Sequence, residues 1–310
     1  MSIPILIDCD PGHDDAIALL LALASPELEL LGVTTVSGNQ TLEKTTANAI
    51  RVLEFVGRDD VPVAAGADRP LVRERHVAAE VHGESGLDGP VLPAAQKSPL
   101  DQDAVEFLAK RIAASEVPVT LVPTGPLTNI ALLLARYPEV CERLERIVLM
   151  GGSIAEGNVT PAAEFNIWAD PEAAARVFTS GLDLTMIGLD VTHQALMTAD
   201  HAEQLRAAGR TGTMVAELYD FFSLFHHRIY GMEGAPIHDA VAVAHVARPG
   251  LVETVERHVA IDCQSQLCRG RTVVDRWKRT GNEPNAHVGV GIDGEAFLEL
   301  LVSRLSKYPE

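Results

Sequence analysis

Residues 3–25 read IPILIDCDPGHDDAIALLLALAS. An apolar run ends in acids, the chain turns at Pro11 and Gly12, and a longer apolar run follows. A short apolar segment, a Pro-Gly break and an apolar stretch of helical length predict a strand leading into a helix. Four carboxylates, Asp8, Asp10, Asp14 and Asp15, crowd into eight residues at that junction. Like charges so close repel unless a cation neutralises them or they share a proton.

The same alternation recurs outward from this point. Strand-like residues 28–39 lead to helical 41–57, 117–125 to 126–138, 146–152 to 170–181, and 183–191 to 198–209. Such alternation predicts βαβ units and a mostly parallel sheet. Nearly continuous apolar strands fit a sheet covered by helices on both faces. The last third predicts helices over 218–231 and 238–249, strands over 255–263, 271–277 and 286–293, and a closing helix over 294–308. No Gly/Ser linker, internal repeat or low-complexity segment divides the chain. The expectation is therefore one α/β domain over residues 1–310, with a mostly parallel central sheet flanked by helices. Open parallel sheets bind ligands beyond the carboxyl ends of their strands. There the sequence places Asp8 and Asp10, then Asn39, Thr124, Met150 with Gly151, and Asp190.

The 310 residues carry 25 Lys and Arg against 43 Asp and Glu, a net charge of −18. That surface repels phosphates and argues against a nucleic-acid partner. It suits solubility and a small neutral or cationic ligand or a metal ion. The N-terminus lacks a basic stretch followed by an apolar core, so no signal peptide is expected. No unbroken apolar run reaches the ~18 residues of a membrane span. Cys9, Cys141, Cys263 and Cys268 form no C-x-x-C pair and predict free thiols in a cytoplasmic protein.

Three chemistries compete for the acidic cluster. An EF-hand loop counted from Asp8 would need Gly at position six and Glu at position twelve, where His13 and Leu19 stand, so it fails. A phosphatase of the haloacid-dehalogenase type matches strand-D-x-D, and 119–125 supplies a strand-end Thr124, but 187–194 offers only one late carboxylate, Asp190. An oxygen-ligand metal site for hydrolysis accounts for more of the acids. Asp10 and Asp15 turn toward one ion, Asp14 remains for substrate, and the helix dipole tolerates the charge.

The stretch 8–39 closely resembles the N-terminal signature of the nucleoside hydrolases of the inosine–uridine-preferring superfamily. The likeness continues in order through VHGESGLDGP (81–90), PTGPLTNIALLL (123–134), IVLMGGSIAEGNVTPAAEFNIWADPEAA (147–174), GLDVTH (188–193), GAPIHDAVAVAH (234–245) and CRGRTVVDRW (268–277). The resemblance implies hydrolysis of the N-glycosidic bond of ribonucleosides around a bound Ca²⁺. It implies metal ligation by Asp10, Asp15, Asp239 and the carbonyl of Thr124, with Asp10 also the base for the water the metal holds. It implies that Asp14, Asn39, Asn158, Glu164 and Asn166 hold the ribose, with Met150 and Phe165 lining the pocket. His82 and His238 fall near the base, with His238 assisting its departure, and His226 and Tyr230 lie on a helix that borders it. A homo-oligomer is implied, a tetramer more than a dimer.

These residue types suit the reaction. Departure of the base leaves positive charge on the ribose, which carboxylates and amide oxygens stabilise where it develops. A metal orients water and lowers its pKa, and a neighbouring carboxylate takes the proton. His238, with an ordinary pKa near neutrality, suits protonation of the leaving group. His82 lies in a glycine-rich loop that suits a mobile lid. His13, His201, His245, His258 and His287 read as structural. Ala240 and, near the C-terminus, Cys268 and Arg271 depart from the residues usual in the family. Cys9 and the segment 158–168 look most like the pyrimidine-preferring branch, which acts on uridine and cytidine; purine or mixed specificity is the alternative.

Overall fold

The computed structural model describes residues 2–308. Strand β1 (Ile3–Cys9) is buried along all but its first residue. It feeds helix α1 (His13–Leu23), and the pattern repeats through β2 (Leu28–Thr35), α2 (Leu42–Phe55), β3 (Val63–Ala65), the short α3 (Ala79–His82), α4 (Ala104–Ala114), β4 (Val119–Pro123), α5 (Thr128–Arg136) and β5 (Leu144–Met150). Then come α6 (Phe165–Ala169), α7 (Pro171–Phe178), β6 (Leu184–Ile187), α8 (Leu189–Thr192), β7 (Leu196–Met197), α9 (Ala199–Arg206), the long α10 (Arg210–Tyr230), β8 (Ala235–Pro236) and α11 (His238–Ala247). The chain closes with β9 (Val252–Arg257), β10 (Val259–Ile261), β11 (Thr272–Val274), β12 (Ala286–Ile292) and α12 (Gly294–Leu305).

Eight strands form the main sheet in the order β3-β2-β1-β4-β5-β6-β12-β9. All its pairings are parallel except that of β9 with β12 at one edge. The mostly parallel sheet expected from the sequence is therefore the fold. Alternation along the strands separates two cores. Ile5, Ile7, Cys9, Val122, Val148 and Met150 join α1, α2, α10 and α11 on one face. Leu6, Leu121, Ile147 and Leu149 join α4, α5 and α7 on the other. Helices α1 and α11 are apolar nearly all round and almost wholly buried. They pack on each other against the sheet, as a helix without a polar face must.

The structure refines the sequence reading at several places, among them the strand expected over 183–191, which ends at Ile187 and gives way to α8. Residues 255–263 are two strands, because the chain leaves the main sheet at His258 to form the β10–β11 ribbon. The helix expected over 218–231 begins at Arg210. Helix α4, capped by Asp103, has no counterpart in the sequence reading. The four cysteines are free thiols, as expected. Among the described residues no helix is long and apolar enough to cross a membrane.

Candidate active site

Helices α1 and α11 both start on acids, and their packing brings those starts together. Ligand atoms of Asp14, Asp15 and Asp239 all lie within 4.8 Å of one another, and all three residues are buried. Asp15 is held on several sides. Its Oδ2 accepts from the Gly12 N–H (3.0 Å) and from Asn39 Nδ2 (3.2 Å), and its Oδ1 accepts from Thr124 Oγ1 (2.8 Å). Asp10 Oδ2 accepts from the Asn39 N–H at 2.6 Å, while Asp10 Oδ1 is buried with no hydrogen-bond partner. Burial, reinforced by neighbouring carboxylates, pushes Asp10 and Asp239 well above the ordinary carboxylate range and Asp14 to about 8; burial also raises Asp15. No Lys or Arg among the described residues lines the adjoining cavity. The donors are all oxygen, the set hard cations prefer, and the unpartnered Asp10 oxygen needs a positive partner. These residues fit a divalent cation.

Asp8 takes a different role. Its Oδ1 accepts from Thr34 Oγ1 (2.6 Å) and Asn129 Nδ2 (2.7 Å), and burial pushes it up to about 7. Asn129 also donates to the Thr35 carbonyl and accepts from the Ala67 N–H. Asp8 thus ties β1 to β2 and α5 beneath the site. Gly125 follows β4 where even a Cβ would come within 2.6 Å of Asp10 Oδ1.

A second group of polar residues faces the acids. Glu164 caps α6, accepting from the Asn166 and Gly152 N–H groups at 2.8 Å and from Ile167 at 3.2 Å. Those bonds pull its pKa down, but burial outweighs them and lifts it to about 7. Gly152, at φ +74°, occupies the left-handed region that lets its N–H reach Glu164. Asn166 Nδ2 donates to the carbonyls of Thr124 (2.7 Å) and Met150 (3.1 Å), bridging the ends of β4 and β5. Asn158 Oδ1 accepts from the Phe165 N–H at 2.9 Å.

The far end is aromatic and rich in imidazole. His226 Nδ1 lies 3.0 Å from the Phe222 carbonyl, so that nitrogen carries the proton, and burial pushes the ring down to about 4. His238 Nδ1 lies 2.7 Å from Thr192 Oγ1. Burial, with His193, His226 and His82 around it, drives His238 well below its ordinary value. This direction favours the neutral ring, against the sequence expectation of an ordinary pKa near neutrality. Tyr230 Oη donates to the Asn158 carbonyl at 3.3 Å across the mouth.

One cavity joins the three groups. It is lined by Asp14, Asn39, His82, Thr124, Met150, Asn158, Glu164, Phe165, Asn166, His226, Tyr230, His238 and Asp239. The model of the family described as "Inosine-uridine preferring nucleoside hydrolase" matches residues 5–299. The chain belongs to that family.

Like other nucleoside hydrolases, it is an enzyme that cleaves the N-glycosidic bond of ribonucleosides; the phosphatase reading of the D-x-D start falls away. It is 55% identical over 310 residues to the pyrimidine-specific ribonucleoside hydrolase RihA of Shewanella sp. (strain ANA-3), covering 99% of this chain and 98% of the relative. It is 52% identical to the protein of the same name from Escherichia coli O81 (strain ED1a), covering 99% and 100%. Among solved structures it superposes on a purine-preferring ribonucleoside hydrolase from Gardnerella vaginalis with a TM-score of 0.92, at 34% identity over 98% of each chain. A plant nucleoside hydrolase, PpNRh1, matches with a TM-score of 0.92, at 33% identity over 99% of this chain and 100% of the other.

In this nucleoside hydrolase the sequence-expected residues converge, with one distinction. Asp10 and Asp15 adjoin the acidic floor without lining the cavity. Sequence reasoning missed His193, Phe222 and Phe225, which line it. The helical spacing of Phe222, Phe225, His226 and Tyr230 was the available signal, and His193 sat unremarked in GLDVTH.

Proposed function

We propose that this hydrolase cleaves pyrimidine ribonucleosides, uridine and cytidine, to free base and ribose, with Ca²⁺ as its cation. The observation that carries the reading is the orphaned Asp10 oxygen beside three mutually close buried carboxylates, at one end of a cavity with imidazoles at the other. Asp10, Asp15, Asp239 and the Thr124 carbonyl hold the ion. When bound it supplies a positive charge that acidifies water and orients ribose hydroxyls. The pyrimidine preference rests on relatives of that name at 52–55% identity and on the likeness of Cys9 and residues 158–168 to that branch.

The chain's own groups then act in sequence. Asp14, Asn39, Asn158, Glu164 and Asn166 orient the ribose between the two ends of the cavity. Asp10 takes the proton of the attacking water as its oxygen bonds to C1′ and the C1′–N bond breaks. The buried carboxylates stabilise positive charge developing on the sugar. Thr192 fixes His238 through Nδ1, leaving Nε2 to hydrogen-bond the departing base; the neutral ring contributes a hydrogen bond more than a stored proton. The test is release of reducing sugar from uridine, cytidine and inosine, with Ca²⁺ and after chelation. Turnover of uridine and cytidine that chelation abolishes is expected. Activity confined to inosine would overturn the base preference, and full activity after chelation would overturn the metal.

A further inference from the structure

His13 opens α1 beside His82, and the mechanism above does not use it. The side chain is fully buried. Its ring stacks on Phe221 (centroids 5.2 Å, 2° between planes), Phe222 (5.4 Å, 12°) and His82 (5.3 Å, 25°). Packing alone would explain a ring at this position. It does not explain the two polar contacts.

His13 Nε2 lies 2.8 Å from the carbonyl oxygen of Asp88. A carbonyl only accepts, so Nε2 carries the ring proton and neutral His13 keeps a lone pair on Nδ1. That Nδ1 lies 3.1 Å from Nδ1 of His82. Two lone pairs facing each other at this distance repel, so the proton between them belongs to His82. The competing arrangement has His82 Nδ1 accept from the backbone N–H of His13, at the longer distance of 3.3 Å. It would leave the two lone pairs opposed at 3.1 Å, whereas a proton on His82 Nδ1 gives up only the longer 3.3 Å contact from the His13 N–H.

We propose that His13 is a positioning residue that fixes His82 as its Nδ1–H tautomer, so that His82 meets the nucleobase with an unprotonated, accepting Nε2. An acceptor there suits a base that presents an N–H donor, such as N3–H of uracil or the 4-amino group of cytosine. The inference rests on the reading that His82, which lines the cavity, contacts the base. The same pair of bonds ties the start of α1 to the segment 82–88. His13 thereby sets the ring's position as well as its tautomer.

Two substitutions separate this role from packing. H13F keeps an aromatic ring in the stack and removes the acceptor. H13N places its Oδ1 near the position of Nδ1 and keeps the acceptor. With Tm checked for both, H13F is expected to lose about tenfold in kcat/KM on uridine and cytidine, and H13N less than about threefold, as one hydrogen bond to the base would give. Equal losses in the two variants, or none in H13F, would overturn the proposal. Independently of activity, ¹⁵N chemical shifts of the wild-type protein labelled at histidine should show His82 protonated at Nδ1. A pattern protonated at Nε2 would overturn the proposal even if neither variant folds. A wild type inactive on both nucleosides would sink the proposed function, while the ¹⁵N pattern would still decide the pairing of His13 with His82.

Discussion

The aspartates at the starts of α4, α12, α1 and α11 work in two contrasting ways. At α4, the exposed Asp103 accepts from its own helix's Val105 and Glu106 N–H groups at 2.9 and 3.1 Å. At α12, Asp293 accepts from Ala296 at 3.1 Å. These are ordinary caps, each stabilising by about 1 kcal/mol. At α1 and α11 the acids stand inside the first turn, buried and within 4.8 Å of one another. A helix dipole stabilises nearby negative charge by up to about 2 kcal/mol, far below the cost of burying unpaired carboxylates together. The two kinds of start share a residue type, and the crowding of buried acids separates their functions, since the equally buried Asp170 caps α7 in the ordinary way, accepting from the Ala173 N–H at 3.0 Å.

The contrast is most exposed at Asp10. D10N should lower kcat on uridine and cytidine by about a thousandfold, the scale of general-base loss, with Tm little changed. Retained turnover would remove Asp10 as the base. Ca²⁺ comes next. At a thousandfold excess over Kd it should stabilise the wild type by about 4 kcal/mol, read as a rise in Tm. D239N should abolish that rise while D103N keeps it; equal responses would erase the distinction between the two kinds of helix start.

The opposite end of α11 carries a smaller version of the same conflict. Burial, then Arg146 and His287, pushes His245 down to about 4, and its Nδ1 has no partner. Its folded value lies below the ordinary 6.5. The stability it contributes is therefore complete above pH 6.5 and is lost as pH falls through about 4. Unfolding free energy should drop over that window by at most about 3 kcal/mol from this residue. The drop should be shallower in H245L; identical slopes would show that another group dominates. The smallest effect belongs to the ordinary cap. D103A should cost about 1 kcal/mol of stability and leave kcat/KM unchanged, and a loss of activity would mean that α4 couples to the site.

Much of this was legible in the sequence because it is local. The strand-to-helix switch at Pro11–Gly12, the strand-end positions of Asn39 and Thr124, and the run 158–166 all lie where chain order dictates geometry. The remainder depended on tertiary packing. Phe222 and Phe225 face a cavity, but a helix face against a cavity carries the same apolar spacing as one against a core. His238 reads in the sequence as a group of ordinary pKa, and only burial, with other imidazoles around it, pushes that value down. His13 read as structural, and only its distances to Asp88 and His82 gave it another role. The break at His258 had no breaker residue, because it arises from the strand moving to a different partner.

The packing of α1 on α11 also has a consequence for synthesis. Asp14 and Asp15 emerge early from the ribosome, while Asp239 follows more than two hundred residues later. A nascent chain ending before α11 has its central strands but leaves α1 without the partner that buries it. Its acids remain hydrated and singly weak for a cation. Strong cation affinity therefore arises only once the long-range contact closes. Under the proposed function, capture of the ion is then a late, cooperative event that reports a finished molecule.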